Sequence, residues 1–259
     1  DQLFCGMIGT HGVKMANAAV NECDVLFLVG ARVGDRAVKT PLALEKTTKI
    51  IHIDIDPAEI GKNIGADLPL VGDAKLVLQQ MTELAKPMKH DEWIAHIKTL
   101  GGERKYVEPA KGTVNPRVFI DRLAKKMPAN VTVVADVGQN QIWTCTEYKF
   151  RKEGRLLTSG GMGTMGYSVP AAIGAKMADS SRATVAICGD GAFQMSFMEL
   201  ATAVQFGVDI KVVVMTNNRL GMVRELQTNG YHDRQTAVFL DGSPDFIKLA
   251  EAYGIPAMR

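Results

Sequence analysis

Short, continuous apolar runs alternate with stretches of helical spacing along almost the whole chain. Val25-Leu26-Phe27-Leu28-Val29 is one such run, stopped by Gly30, and Lys49-Ile50-Ile51-His52-Ile53-Asp54-Ile55 is another, rich in β-branched residues. Between them Pro41-Leu42-Ala43-Leu44-Glu45 reads as a short helix or loop, and 75–84 places apolar residues at helical spacing. From 116 onward the pattern predicts helix 116–126, strand 131–135, a weak strand 156–158 and helix 169–177. It continues with strand 183–188, helix 198–205, strand 211–216 and helix 244–252. Strands that are apolar throughout, rather than alternating, are buried on both faces, as in parallel sheets with crossover helices on either side. The expectation is α/β: two three-layer α/β/α domains with parallel sheets. The stretch 86–113 breaks the rhythm with Pro87, Pro109, Gly101-Gly102 and a charge-rich helix at 91–100. It divides the chain into 1–86, a linker at 87–112, and 113–259.

Composition changes this picture little. The 259 residues are 46% hydrophobic and 22% charged, ordinary globular usage that excludes a disordered or fibrous chain. Lys plus Arg is 30 against Asp plus Glu 28, so the net charge of +2 supplies no global attraction to nucleic acid or to an anionic membrane. The longest uncharged stretch, 156–175, is broken by glycines, a proline and hydroxyl residues, and reads as loop plus helix start rather than a membrane span. Cys5, Cys23, Cys145 and Cys188 form no C-x-x-C pair, which argues against a zinc or thioredoxin-type site and for a reducing, cytoplasmic setting. The 25 glycines exceed the usual level of about 7% and cluster, so they mark places where backbone is shaped for a purpose.

The most specific cluster joins two strand ends. Strand 183–188 runs into Gly189-Asp190-Gly191, a helix follows, and strand 211–215 ends in Thr216-Asn217-Asn218. If the strands are adjacent and parallel, both polar ends emerge at the carboxyl edge, where open α/β sheets bind ligands. Asp190 offers a hard anionic oxygen and Asn217 an amide oxygen, ligand types for Mg²⁺, which keeps few protein ligands and takes the rest from phosphate and water. Gly191 lets backbone approach a phosphate and opens a helix whose first amides face it. A competing motif is Gly161-Met162-Gly163-Thr164-Met165-Gly166, which fits the G-x-G-x-x-G of a dinucleotide site. Against that NAD reading, Pro170 places the expected helix start four residues past the last glycine, and Asn217 is left without a role.

These residues resemble a known family. The spacing from Gly189-Asp190-Gly191 to Asn217 is similar to the metal and diphosphate motif of thiamine-diphosphate (ThDP) enzymes. Segments 158–167, 137–143 and Gly221-Met222-Val223 resemble the large, catalytic subunits of acetolactate (acetohydroxyacid) synthases. So do Gly9-Thr10-His11-Gly12, Gly30-Ala31-Arg32 and His52-Ile53-Asp54-Ile55-Asp56-Pro57 in the first half. The resemblance covers essentially the whole chain. It implies part of a central, Rossmann-like FAD-binding domain followed by a ThDP-binding domain. Asp190, the side chain of Asn217 and the carbonyl of Arg219 would hold Mg²⁺. Val137, Gly138, Gln139 and Asn140 would line the diphosphate, and Gly189, Gly191, Ala192, Leu220, Gly221 and Met222 would also bind the cofactor. Gly163 would accept a hydrogen bond from the aminopyrimidine through its carbonyl, and Met165 would lie under the bend of the cofactor. For FAD, Arg32 and Arg36 would meet the diphosphate, Thr10, His11 and Gly12 the flavin and ribityl region, and Asp54, Ile55, Asp73 and Ala74 the adenosine. Gly30 and Ala31 belong to the same site.

Three residues depart from the family pattern. Asn140 stands where most members have His, and is expected to keep a donor for the diphosphate. Gly34 stands in place of an Asp near the flavin. Leu226 replaces a Trp that shapes the second-substrate pocket and the herbicide site, which argues against a preference for 2-ketobutyrate and for herbicide resistance. The implied reaction joins two pyruvates, or pyruvate and 2-ketobutyrate, with loss of CO₂, in branched-chain amino-acid biosynthesis. The implied assembly is a homodimer or higher oligomer with a small regulatory subunit. The family's catalytic Glu lies in an N-terminal pyrimidine-binding domain to which nothing here corresponds, so no catalytic side chain is assigned. The expectation is a truncated chain or proteolytic fragment, inactive alone. The alternatives are another ThDP-dependent 2-keto-acid decarboxylase or oxidase, or a non-catalytic nucleotide-binding module.

Overall fold

The computed structural model describes residues 3–101, 106–151 and 153–259. It divides into two compact units, 1–105 and 106–259; residues 102–105 of the expected linker lie outside the described residues. The first unit contains α1 (Lys14–Glu22), β1 (Val25–Val29), α2 (Pro41–Leu44), β2 (Lys49–Asp54), β3 (Leu68–Val71), α3 (Ala74–Leu84) and α4 (Asp91–Leu100). Its sheet is parallel, in the order β1-β2-β3. Leu28, Val33, Leu44, Ile50 and Ile64 form its core, with Val20, Leu26, Ala31 and Val38 packed around them. Alternate residues of β1, namely Val25, Phe27 and Val29, stay exposed. Helix α4, expected inside a linker, packs on α1, and His96 Nε2 meets Glu22 Oε2 at 2.6 Å.

The second unit contains α5 (Pro116–Lys126), β4 (Thr132–Ala135), α6 (Gln139–Glu147), β5 (Arg155–Thr158), α7 (Ser168–Ala178), β6 (Thr184–Gly189) and α8 (Asp190–Gln194). After a 3-10 turn come α9 (Leu200–Gln205), β7 (Lys211–Met215), α10 (Gly221–Gly230) and α11 (Phe246–Ala252). The sheet order is β5-β4-β6-β7, all parallel. Side chains alternate across it with the period of two that a strand imposes. Val133, Val185, Ile187, Val213 and Met215 face α5 and α6 through Ile120, Ala124 and Trp143. Val134, Ala186, Cys188, Val212 and Val214 face the other layer, built on Val169, Ala172, Ile173, Phe193, Leu200 and Ala203. Both faces are covered, as the uniformly apolar strands require. Each fully buried side chain of this kind contributes about 1.5–3 kcal/mol. Helix α5 starts where Pro116 supplies a preset first turn and Asn115 Oδ1 accepts the Arg117 amide at 3.0 Å; Lys125 and Lys126 sit in its last turn.

Several elements escape the hydrophobic pattern. Strand β3 contains Pro69, which a sheet admits on an edge strand. The residues that α6 buries are Asn140, Thr144 and Glu147, a stripe at helical spacing but made of polar groups, so apolar periodicity does not reveal it. Helices α1 and α10 lack a side-chain cap. Helix α7 begins at Ser168, two residues past Gly166 rather than four, with Pro170 accommodated in its first turn. The late helix start is therefore not what separates this loop from a dinucleotide site. The expected helix 198–205 is a 3-10 turn at Phe197–Glu199 followed by α9.

Candidate functional site

Gly189 of β6 pairs with Met215 of β7, so the two polar strand ends do emerge side by side. Asp190 is 2% exposed and joins them. Its Oδ2 accepts the amides of Asn217 at 2.9 Å and Asn218 at 2.6 Å, and its Oδ1 accepts the Gly191 amide at 2.9 Å. Asn217 Oδ1 accepts the Arg219 amide at 3.0 Å, which leaves that oxygen a second lone pair. Asn218 sits at φ 52°, in the left-handed region that Asn tolerates, and turns the chain toward α10. Arg219 forms a bridge with Phe239 and lays its guanidinium 4.5 Å from that ring's centre.

The glycines here answer to crowding as much as to backbone angle. A Cβ on Gly191 would lie 2.8 Å from Leu220 Cδ2, 3.2 Å from Leu240 Cδ1 and 3.5 Å from Met165 Cε. One on Gly221 would lie 2.9 Å from both Asn217 Nδ2 and Gln139 Cδ. Gly138 adopts φ 142°, inaccessible to most side-chain-bearing residues. Met165, Gly191, Leu220, Gly221, Gln139 and Asn217 are thus neighbours. Gln139 Nε2 donates to Glu225 Oε2 of α10 at 2.8 Å, tying the start of α6 to α10. Gly163, at φ 67°, is exposed with open space around it, and Met222 is half-buried on the first turn of α10.

Three expectations change. Asn140 Nδ2 donates to the carbonyls of Asp136 at 2.8 Å and Ile187 at 3.1 Å, so both its hydrogens are spent on main chain. Its oxygen faces Gly138 and Gly189. It braces the turn from within and has no free donor for a diphosphate. Ala192 places its methyl in the core beside Phe193 and Cys188. The helix opening at Asp190 spans five residues and its Gly191 amide is already engaged, so it is not a free anion-binding terminus. Sequence reasoning missed Asp136, fully buried at the end of β4, and Leu240. Period-2 reading stops at a strand's end and gives Asp136 no weight, although its place one residue before Val137-Gly138 was a usable signal.

The arrangement fits a divalent cation. Among the described residues no Lys, Arg or His pairs with Asp190. A buried ionised carboxylate is costly unless paired or coordinated. Among the described residues no three His, Cys, Asp or Glu side chains cluster, so a metal here would rest on one carboxylate plus amide and main-chain oxygens, a set that suits Mg²⁺. Cys188 is buried and feels the charges of both Asp136 and Asp190. Burial, and then the Asp136 charge, push its thiol far up, so it is a neutral core group.

In the first unit the carboxyl ends of three strands also share an edge. The Gly30 amide donates to the Ile53 carbonyl at 2.8 Å and the Gly72 amide to the Asp54 carbonyl at 2.9 Å. This brings Gly30-Ala31, Asp54-Ile55 and Asp73-Ala74 together. The loop Thr10-His11-Gly12 is pinned by the Thr10 amide on the Arg36 carbonyl at 2.8 Å. Arg32 and Arg36 are exposed and, among the described residues, pair with no carboxylate. Asp73 accepts the Leu76 amide at 3.1 Å and so caps α3.

Comparison with known proteins decides between the readings. Residues 136–259 match the profile described as "Thiamine pyrophosphate enzyme, C-terminal TPP binding domain". Residues 1–81 match "Thiamine pyrophosphate enzyme, central domain". The chain belongs to the thiamine pyrophosphate enzymes. Within that family it is 42% identical to the probable acetolactate synthase large subunit of Methanocaldococcus jannaschii, over 99% of this chain and 45% of that protein. It is 39% identical to the acetolactate synthase large subunit of Lactococcus lactis, over 100% and 45%. It is 38% identical to the Escherichia coli isozyme 3 large subunit, over 96% and 45%. This thiamine pyrophosphate enzyme chain thus spans about half the length of the curated relatives it matches. The NAD reading of 161–166 falls, because that segment lies inside the stretch that matches the C-terminal TPP binding domain.

Proposed function

We propose that this chain carries the metal- and diphosphate-holding part of an acetolactate synthase large subunit, acting on pyruvate as one 2-keto acid and joining it to a second with loss of CO₂. The supporting observation is the buried Asp190, which gathers the ends of β6 and β7 and, among the described residues, forms no ion pair with a cationic side chain. In this reading Asp190, Asn217 Oδ1 and the Arg219 carbonyl hold Mg²⁺. Val137, Gly138, Gln139, Gly189, Gly191 and Gly221 border the diphosphate. The Gly163 carbonyl accepts from the aminopyrimidine, and Met165 supports the cofactor's bend. Thiamine diphosphate, when bound, supplies the electron sink that lets a 2-keto acid lose CO₂. The protein's own residues orient it and keep its charge neutralised. The strand edge around Gly30, Asp54 and Asp73, with the exposed guanidinia of Arg32 and Arg36, holds FAD, since a guanidinium fork matches a diphosphate.

Because the relatives' names specify a large subunit, the reading includes a small regulatory subunit and a homodimer or higher oligomer. It also places the enzyme in the cytoplasm. No helix among the described residues is long and apolar enough to cross a membrane. Leu226, exposed on α10, stands where the resemblance has Trp, and on this reading pyruvate rather than 2-ketobutyrate is the second substrate. That same residue is what favours the second reading, another 2-keto-acid decarboxylase or oxidase of the family.

The test is thermal unfolding with ThDP plus Mg²⁺, with FAD and with NAD, for the wild-type chain and Asp190→Ala. A ligand at 100 times its Kd stabilises the folded state by about 2.7 kcal/mol, roughly 5–10 °C for a protein of this size. The expected shifts come with ThDP plus Mg²⁺ and with FAD, and Asp190→Ala abolishes only the first. A shift with NAD and none with ThDP would sink the proposal.

A further inference from the structure

Asp136 is a second carboxylate without a cation, and the site described above does not use it. It is 0% exposed at the carboxyl end of β4. Its Oδ1 accepts the Val137 amide at 2.8 Å and the Gly166 amide at 2.9 Å, and its Oδ2 accepts the Ser168 amide at 2.8 Å. Among the described residues it has no ion-pair partner. One carboxylate therefore binds two separate segments: the Val137-Gly138 turn, and the far end of the glycine-rich loop 160–167. That loop is held loosely elsewhere. Its other hydrogen bonds among the described residues are all local: the Gly160 amide on the Thr158 carbonyl at 2.9 Å, the Gly163 amide on the Ser159 carbonyl at 3.0 Å, the Thr164 amide on Ser159 Oγ at 3.1 Å and the Ala171 amide on the Tyr167 carbonyl at 3.1 Å. Gly166 is at φ 87°, and a Cβ there would lie 3.0 Å from Met195 Cβ, so the backbone is wedged at the point Asp136 grips.

Met165 is the residue immediately before that grip. Its Cε lies 3.5 Å from where Gly191 would carry a Cβ, next to Asp190. The line Asp136, Gly166, Met165, Gly191, Asp190 links the two buried carboxylates through one methionine. We propose that Asp136 is a positioning residue for thiamine diphosphate: it fixes the loop so that Gly163 and Met165 meet the ring end of the cofactor whose diphosphate end sits at Asp190. This rests on the ThDP reading above. The anion matters, because each oxygen must accept and neither may donate. An Asn would turn an N–H toward the Ser168 or the Gly166 amide, setting donor against donor. Charge-assisted bonds of this kind are about twice as strong as neutral ones, which suits a grip on a solvent-exposed loop.

The experiment follows Trp143 fluorescence of the 259-residue chain in a Trp93→Phe background, titrated with ThDP plus Mg²⁺ and separately with pyrophosphate plus Mg²⁺. The proteins are wild type, Asp136→Asn, Met165→Ala and the double variant. Pyrophosphate reports the diphosphate end alone. The expected result is that Asp136→Asn raises the Kd for ThDP about tenfold and that for pyrophosphate by less than about twofold. Because Asp136 acts in part through Met165, the loss of ThDP affinity in the double variant is smaller than the two single losses combined. Equal losses for both ligands, no loss, or additive effects in the cycle would overturn the proposal. A wild-type chain that binds neither ligand would instead overturn the ThDP reading on which it stands. Should Asp136→Asn not fold, amide exchange of the wild type decides. The Gly166 and Ser168 amides are expected to be the best protected of 160–168, and ThDP plus Mg²⁺ to slow exchange at Met165. Exchange of Gly166 and Ser168 at the rate of Gly161 and Met162 would refute the grip.

Discussion

Gly191→Ala separates two explanations of the second glycine in Gly189-Asp190-Gly191. Gly191 does not have a positive φ, so an alanine there meets no backbone penalty and its whole cost is steric. The new Cβ would stand 2.8 Å from Leu220 Cδ2 and 3.2 Å from Leu240 Cδ1, but at an ordinary 3.5 Å from Met165 Cε. The first contact must yield, the second must give by a few tenths of an ångström, and the third need not move. Both yielding atoms are ends of leucine side chains, so the cost sits at the lower end of overpacking, about 1–2 kcal/mol. That is roughly 3–6 °C in Tm. Leu220→Ala alone costs about 1–2 kcal/mol for a half-buried leucine, below the range for fully buried sites. It removes the atom that clashes, so the double variant Gly191→Ala/Leu220→Ala should be about 1 kcal/mol more stable than the sum of the two losses. Gly191→Ala/Met165→Ala should be additive. Urea unfolding monitored by near-UV circular dichroism measures the wild type, the three single variants and the two double variants. A fully additive Gly191/Leu220 pair would refute the crowding argument, and the glycine would then have to be explained by approach of a ligand.

Further expectations follow from other contacts. Asn140→Asp puts a carboxylate oxygen against the Asp136 and Ile187 carbonyls and should cost about 2 kcal/mol or more; a loss under 0.5 kcal/mol in urea unfolding would contradict the brace. His52 is 1% exposed and neither ring nitrogen has a partner among the described residues, so His52→Leu should gain about 1 kcal/mol; a loss of that size would show that the imidazole is bonded. The Cys188 thiol is raised by burial, first of all, so its native pKa lies above the unfolded value. Its stability contribution is complete below the ordinary thiol pKa and lost as pH rises past it, when the unfolded chain ionises and the folded one does not. Cys188→Ala should therefore flatten the alkaline limb of the Tm profile, and Cys188 in the wild type should resist a thiol reagent at pH 9 until the chain unfolds. Asp67 is lowered, chiefly by the Ile50 amide bound to it. That contribution is present above the ordinary carboxylate pKa and lost as pH falls, so Asp67→Asn should reduce the acid sensitivity of Tm; an unchanged acid limb would count against it.

What the chain's letters reveal depends on which physical rule each residue obeys. Val133, Val134, Ile187 and Val213 obey burial, and burial leaves an apolar run, so β4, β6 and β7 and their parallel order were legible. Asp190 and Asn217 were legible because two polar strand ends recur at a spacing only adjacent parallel strands would bring together. Helix α6 was not, because it turns Asn140, Thr144 and Glu147 inward, and a polar stripe carries no hydrophobic period. Asn140 shows how this misleads at a site. Its residue type suggests a donor for a ligand, yet its two hydrogens are spent on the carbonyls of Asp136 and Ile187 beneath the turn at Gly138. Asp136 fails to announce itself for the same reason in reverse. It binds only backbone amides, and amides are present at every position except proline, so no partner residue marks the pairing in the sequence. Groups that act on side chains leave correlated letters, whereas groups that act on main chain leave one letter, and the loop they hold becomes visible only when the fold returns it to them.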